Sequence, residues 1–104
     1  MLREPIEVMN YIDDSALDLA AIVGEHVASG KFAILLAARD EPIMPQDSGW
    51  QFRSNAEGER GKVWKLREVL ELEPSLRPFL SSPIGTILRR ETENDKWKVS
   101  REEE

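Results

Sequence analysis

An α+β fold is predicted for this chain, with a single domain in which two or three short helices pack on one face of a mostly antiparallel sheet of about four or five strands. Three observations carry that expectation. Apolar or alternating runs at residues 32–38, 50–53 and 86–90 have the length of strands and are bounded by turn-forming residues. One clear helical period places Leu66, Val69 and Leu70 on a common face. The stretch "RETENDKWKVS" then reads as a terminal hairpin.

From the N-terminus, Ile6, Val8, Met9, Tyr11 and Ile12 fit neither period. Asp14 or Ser15 can cap a helix, and Asp18, three residues after Ser15, approximates a capping box. Leu17, Ala20 and Ala21 stand at helical spacing, but Ile22-Val23 favours a strand. The segment therefore reads either as a short helix running into a strand near residues 20–23 or as one helix to residue 28. "FAILLAA", residues 32–38, suits a central buried strand, and the prolines of residues 40–49 make a loop. Trp50 to Arg53 alternates as a half-buried strand, and "SNAEGERG", residues 54–61, is a polar loop. Helical character is expected from Val63, with a break at Pro74 and a shorter helical turn through Leu80. Gly85 opens a strand over residues 86–90, and in "KWKVS" Trp97 and Val99 face one side, half buried.

The 104 residues suit one domain: an N-terminal extension over 1–21, a core over 22–100 and a disordered tail over 101–104. A net charge of −6 disfavours nucleic acid and anionic membrane as partners. The absence of cysteine removes disulfides, thiolate metal sites and a thiol nucleophile. No apolar run spans a bilayer, and "MLREPIEV" lacks the basic-then-apolar order of a signal peptide, so a cytoplasmic location is expected.

A search for chemistry returns nothing organised. His26 stands alone, without an identifiable partner for general base catalysis. The acids at 40–41 and 57–60 match no calcium-loop spacing, and the glycines at 58 and 61 have no strand–loop–helix context for phosphate. Neither catalytic residue, metal site nor cofactor is expected, and no basic patch is visible. Arg39 with Asp40, Glu41 and Asp47 would form an active site only by converging in a cleft; a more economical role for Arg39 is to pair with one of those acids and pin the loop.

The least ordinary stretch is "PIMPQDSGWQF", residues 42–52. Asp47-Ser48-Gly49 has turn chemistry, with Asp bonding the backbone two residues on and Gly supplying a positive φ. Trp50 and Phe52 then either enter the core or, for Trp50, anchor a protein partner beside Ile43 and Met44.

"RDEPIMPQDSGWQF", then "VWKLREVLELEPSLRPFLSSPIGTILRR" and a late Trp97, resembles the immunity protein 33 family, formerly a domain of unknown function and later grouped with bacterial polymorphic-toxin immunity proteins. The resemblance rests on Arg39, Pro42, Ser48, Gly49, Phe52, Pro83 and Gly85, together with Asp47, Trp50, Pro74, Leu80 and Arg90. "RSNAEGER" departs from the Gly and Glu that the family places after the aromatic strand. The resemblance implies a small binding protein without catalytic residues, which neutralises a toxin by direct contact. Candidate contacts are Glu41, Ile43, Met44, Asp47, Trp50, Glu57 and Glu59, with an acidic surface suited to a basic partner. The alternative is a ligand- or peptide-binding module with its pocket between the 42–50 loop and the helical segment 63–80.

Overall fold

The computed structural model describes residues 13–55 and 60–101. It is an α+β domain built on a six-stranded sheet, one or two strands more than the sequence predicts. The strands are β1 (Ala20–Gly24), β2 (Leu36–Arg39), β3 (Asp47–Arg53), β4 (Gly61–Lys65), β5 (Thr86–Arg89) and β6 (Lys98–Arg101), in the order β4-β1-β3-β2-β5-β6. Only β1 and β3 run parallel. Helix α1 (Glu25–Ala28), helix α2 (Leu66–Leu72) and 3-10 segments at Asp14–Asp18 and Pro74–Phe79 complete the described elements.

The first of the two readings for residues 14–28 holds, with a helical segment leading into a strand, and α1 follows as a separate turn. Two element boundaries need correction. Helical structure was expected from Val63, but Gly61–Lys65 is a strand and the helix begins at Leu66. The Lys65 backbone amide donates to the Glu68 carboxylate at 2.9 Å, capping α2 there and fixing the boundary. The strand expected over 32–38 is displaced to Leu36–Arg39, leaving Phe32 half exposed against the edge of His26. Residues 34 and 35 precede the strand but still bond to its neighbours, the Leu35 amide donating to the Arg53 carbonyl. The Ile34 carbonyl accepts from the Arg90 side chain, and the Leu35 carbonyl accepts from the Arg90 amide.

Alternation along the strands sends one set of side chains to the core. Ala21, Val23, Ala37, Trp50, Phe52 and Leu88 pack there with Leu17, Val27, Leu66, Val69, Leu76 and Leu80 from the helical segments. Trp50 and Phe52 are fully buried and stack at 5.7 Å. At the end of the sheet, Arg90 donates to Ile34 and Glu93 carbonyls, pairs with Glu73 at 2.8 Å and lies 4.1 Å over the Trp97 ring. Val99, expected to share Trp97's half-buried side, is mostly exposed, because the helical layer does not extend over β6.

Among the described residues, no helical element packs on the opposite face of the sheet. Its outward positions include Ile22, Val63, Gln51, Ala38, Leu36 and Ile87, all partly or fully exposed.

Candidate functional site

The chemistry of Asp47-Ser48-Gly49 is as its sequence predicts, but it works inside a strand. Two steps along β1, from Ala20 to Ile22, are matched by four along β3, from Asp47 to Gln51, so this stretch is a bulge. Gly49 sits at φ +85°, and an added Cβ there would collide with the Asp40 carbonyl oxygen. One Asp47 carboxylate oxygen accepts from the Gly49 amide at 2.9 Å, and the other accepts from the Ile43 amide at 3.0 Å. Ser48 Oγ accepts from the Trp50 amide at 3.1 Å. Asp47 thereby fixes the turn and holds the 40–46 loop in one position.

Arg39 reinforces that position from below. Its Nε donates to the Ser48 carbonyl at 3.0 Å, and its Nη1 donates to the Ser82 carbonyl at 2.7 Å. The expected pairing with a loop acid is absent among the described residues, because the guanidinium is spent on two backbone carbonyls. Burial lowers the Arg39 pKa below the ordinary arginine value. Trp50 Nε1 donates to the Leu80 carbonyl at 3.1 Å, and the Gly85 amide donates to the Arg39 carbonyl. Phe52 fills the core, and Pro83 begins the turn that returns the chain to β5. Arg39, Ser48, Gly49, Trp50, Phe52, Pro83 and Gly85 thus form one internal brace.

What the brace holds out is an arm. Ile43 is 84% exposed and Met44 52% exposed, with Pro42 and Glu41 beside them. The arm lies over the uncovered sheet face above β1 and β4, where Ile22, Val63 and Ala20 form the other wall of an open groove of about 400 Å³. Val63 is itself 71% exposed. Asp40, Glu41 and Asp47 rim this groove, with Asp40 accepting from Gln51 Nε2 at 2.8 Å and both Asp47 oxygens already engaged. Glu41 is the exposed acid of the rim without a hydrogen bond among the described residues.

At the diagonally opposite corner of the same face lies a wider cleft of about 960 Å³. Leu35 and Leu36 floor it, and Arg89, Lys96 and Lys98 stand around it. Pairing puts Arg53, Leu36, Arg89 and Lys98 in one row across four strands, so three cations share one level of the face. A hydrogen-bonded line from Asp40 through Gln51 to Arg53 crosses the face between the two corners.

The sequence candidates therefore divide. Glu41, Ile43 and Met44 come together at the arm; Asp47 supports it from within; Trp50 has no side-chain surface to present. Glu57 and Glu59 lie outside the described residues, as do the apolar residues 6–12; of the tail expected over 101–104, Arg101 is instead the last residue of β6, paired with Thr86, and 102–104 lie outside the described residues. A pocket between the 42–50 loop and segment 63–80 is replaced by a groove on the far side of the sheet, because Trp50 and α2 fill the space between them. Sequence reasoning missed Ile22 and Val63, which join the groove only once β4 pairs with β1. It also missed the row of Arg53, Arg89 and Lys98. Among the described residues, no cluster of His, Cys, Asp or Glu could hold a metal ion, and no helix is long and apolar enough to cross a membrane.

Comparison with known proteins gives one match. No curated protein and no solved structure is matched by the chain. Residues 21–100 match the family described as the Immunity protein Imm33 domain, a span that holds the whole brace, the arm and both corners of the open face. The chain belongs to the Imm33 immunity protein domain family.

Proposed function

We propose that this protein neutralises a protein toxin by binding it directly, with no chemical step of its own. One observation carries the reading: an exposed apolar arm, Ile43-Met44, is tied in position by the Asp47 carboxylate and faces an apolar wall at Ile22 and Val63. Exposed apolar side chains on a rigid support lose little conformational entropy on docking, so a larger part of their burial appears as affinity. An apolar centre with a charged rim is the composition of a protein interface. The family description supports the same class of role. Glu41 and Asp40 at the rim suit a basic side chain of the toxin at this corner.

The test begins with tagged protein expressed in the cells that encode it, with captured proteins identified by mass spectrometry. The captured partner is then expressed alone and beside this chain. The expected result is a partner that arrests growth alone and is rescued by co-expression. Ile43→Asp combined with Met44→Asp should weaken the complex by about 2–4 kcal/mol and abolish rescue, while leaving the circular dichroism spectrum unchanged. Undiminished rescue by that double variant would remove the arm from the binding surface.

A further inference from the structure

The sheet face that no described helix covers carries like charges side by side. Arg89 and Lys98 are direct cross-strand partners, and Arg53 stands two strands away on the same level. Like charges directly opposite each other destabilise a sheet. Among the described residues, Arg89 and Lys98 form no ion pair, although the chain holds 20 acids against 14 lysines and arginines. Of the acids lining the cleft, Asp95 caps the Thr92 amide and Glu91 is exposed beside it. Lysine on β6 is explained by protection of an edge strand. Arg89 and Arg53 are on interior strands, where that explanation does not reach.

The two corners of the face complement each other. One is an apolar arm rimmed by Glu41 and Asp40; the other is a recess lined by Leu35 and Leu36, where Arg89, Lys96 and Lys98 outnumber Glu91 and Asp95. The arm stands over the β4-β1-β3 half of the sheet and the cleft over the β2-β5-β6 half, at opposite ends of the central strands, so a diagonal across β3 and β2 joins them. A two-fold axis lying between the two facing sheets, parallel to them and at right angles to that diagonal, lays the arm of each copy over the cleft of the other. We infer that in the free protein this face is covered by a second copy of the chain, in a symmetric dimer with each Ile43-Met44 arm seated in the partner's cleft and each Glu41 over the partner's Arg89 and Lys98. Such an isologous contact closes on itself and leaves no unsatisfied patch.

Six strands about 4.8 Å apart and about five residues long give a face of roughly 500 Å². With the arms seated, that reaches only the lower end of specific interfaces, at about 600 Å² per partner. The dimer is therefore weak and concentration-dependent. The inference concerns the free chain and stands independently of the toxin reading, although a toxin docked on the same arm would compete with the second copy.

Sedimentation velocity from about 10 to about 500 µM reads the assembly directly. The expected mass rises from 11.9 kDa toward twice that value across the range. Arg89→Glu or Glu41→Lys alone should hold the chain as a monomer throughout, and the double variant, which restores opposite charges across the axis, should recover the dimer. Ile43→Asp should also give a monomer. A wild-type chain that stays monomeric at every concentration overturns the inference and leaves the face to a partner of another sequence. A dimer indifferent to these substitutions, or a double variant that stays monomeric, overturns it as well. Toxin capture and rescue are read in separate experiments, so either conclusion can fail without the other.

Discussion

At the scale of single residues, the family motif acts as architecture. Asp47 ties two amides, Ser48 one, and Arg39 and Trp50 each reach carbonyls of the segment around residues 80–82. Gly49 shows how narrow the tolerance is. Gly49 and Gly30 have nearly the same positive φ, +85° and +84°, but only Gly49 faces backbone where a side chain would stand. Gly30→Ala carries the left-handed backbone penalty alone, about 1–2 kcal/mol. Gly49→Ala adds a collision with the Asp40 carbonyl, which the Asp40 amide bond to the Gly49 carbonyl keeps in place. An expected loss on the order of 4 kcal/mol or more follows for Gly49→Ala. Urea unfolding of both variants checks the difference, and equal losses would mean that the bulge relaxes freely. The local chemistry of this motif was legible in the sequence because Asp, Ser and Gly act on neighbours two to four positions away. Arg39's true partners were not legible: Ser82 is 43 positions distant, and its carbonyl is a backbone atom that no side-chain pattern announces.

At the scale of elements, patterns with a local period were readable, as was edge strand β6 through the hairpin it closes, whereas edge strand β4 was not. Trp50 to Arg53 and Thr86 to Arg89 alternate as the sequence suggests, because each has one face in the core. β4 escaped notice because all but Trp64 of its residues are exposed, which removes the alternation that marks a half-buried strand. The two edges differ physically. β4 runs straight into α2, whose first amide bonds the Leu19 carbonyl, and Trp64 packs against the core. Among the described strands β6 pairs with β5 alone, and all four of its residues are exposed. Local opening therefore begins at β6. Native-state hydrogen exchange is expected to show amides of β6 exchanging on the order of 100-fold faster than those of β3, with β4 between them. Uniform protection across the sheet would mean that the six strands open only together.

At the scale of the whole molecule, a net charge of −6 was legible, but its arrangement was not. Arg53, Arg89 and Lys98 reach one level of one face only through three successive strand pairings, so a reading of sequence neighbours sees no basic patch. The same dependence on pairing decides where the folded unit begins. The family match starts at residue 21, inside β1, but Leu17 of the preceding 3-10 segment is only 3% exposed and belongs to the core. Arg67 of α2 reaches back to the same segment, donating to Asp18 at 3.2 Å and lying 3.5 Å from Asp14. Those hydrogen bonds, to Asp18 first and then Asp14, raise the Arg67 pKa. The ion pairs are solvent-exposed, and exposed pairs contribute little to stability. Packing of Leu17 is the contact that matters. Leu17→Ala is expected to lower the unfolding free energy by about 2–4 kcal/mol, since it removes a buried side chain from between the sheet and α2. Asp14→Ala and Asp18→Ala should leave the urea midpoint almost unmoved. If instead Leu17→Ala is silent, the 3-10 segment is an appendage and the cooperative unit starts at β1. A full-sized loss makes residues before the family boundary part of the domain, closing the end of the core that the sheet and α2 leave open.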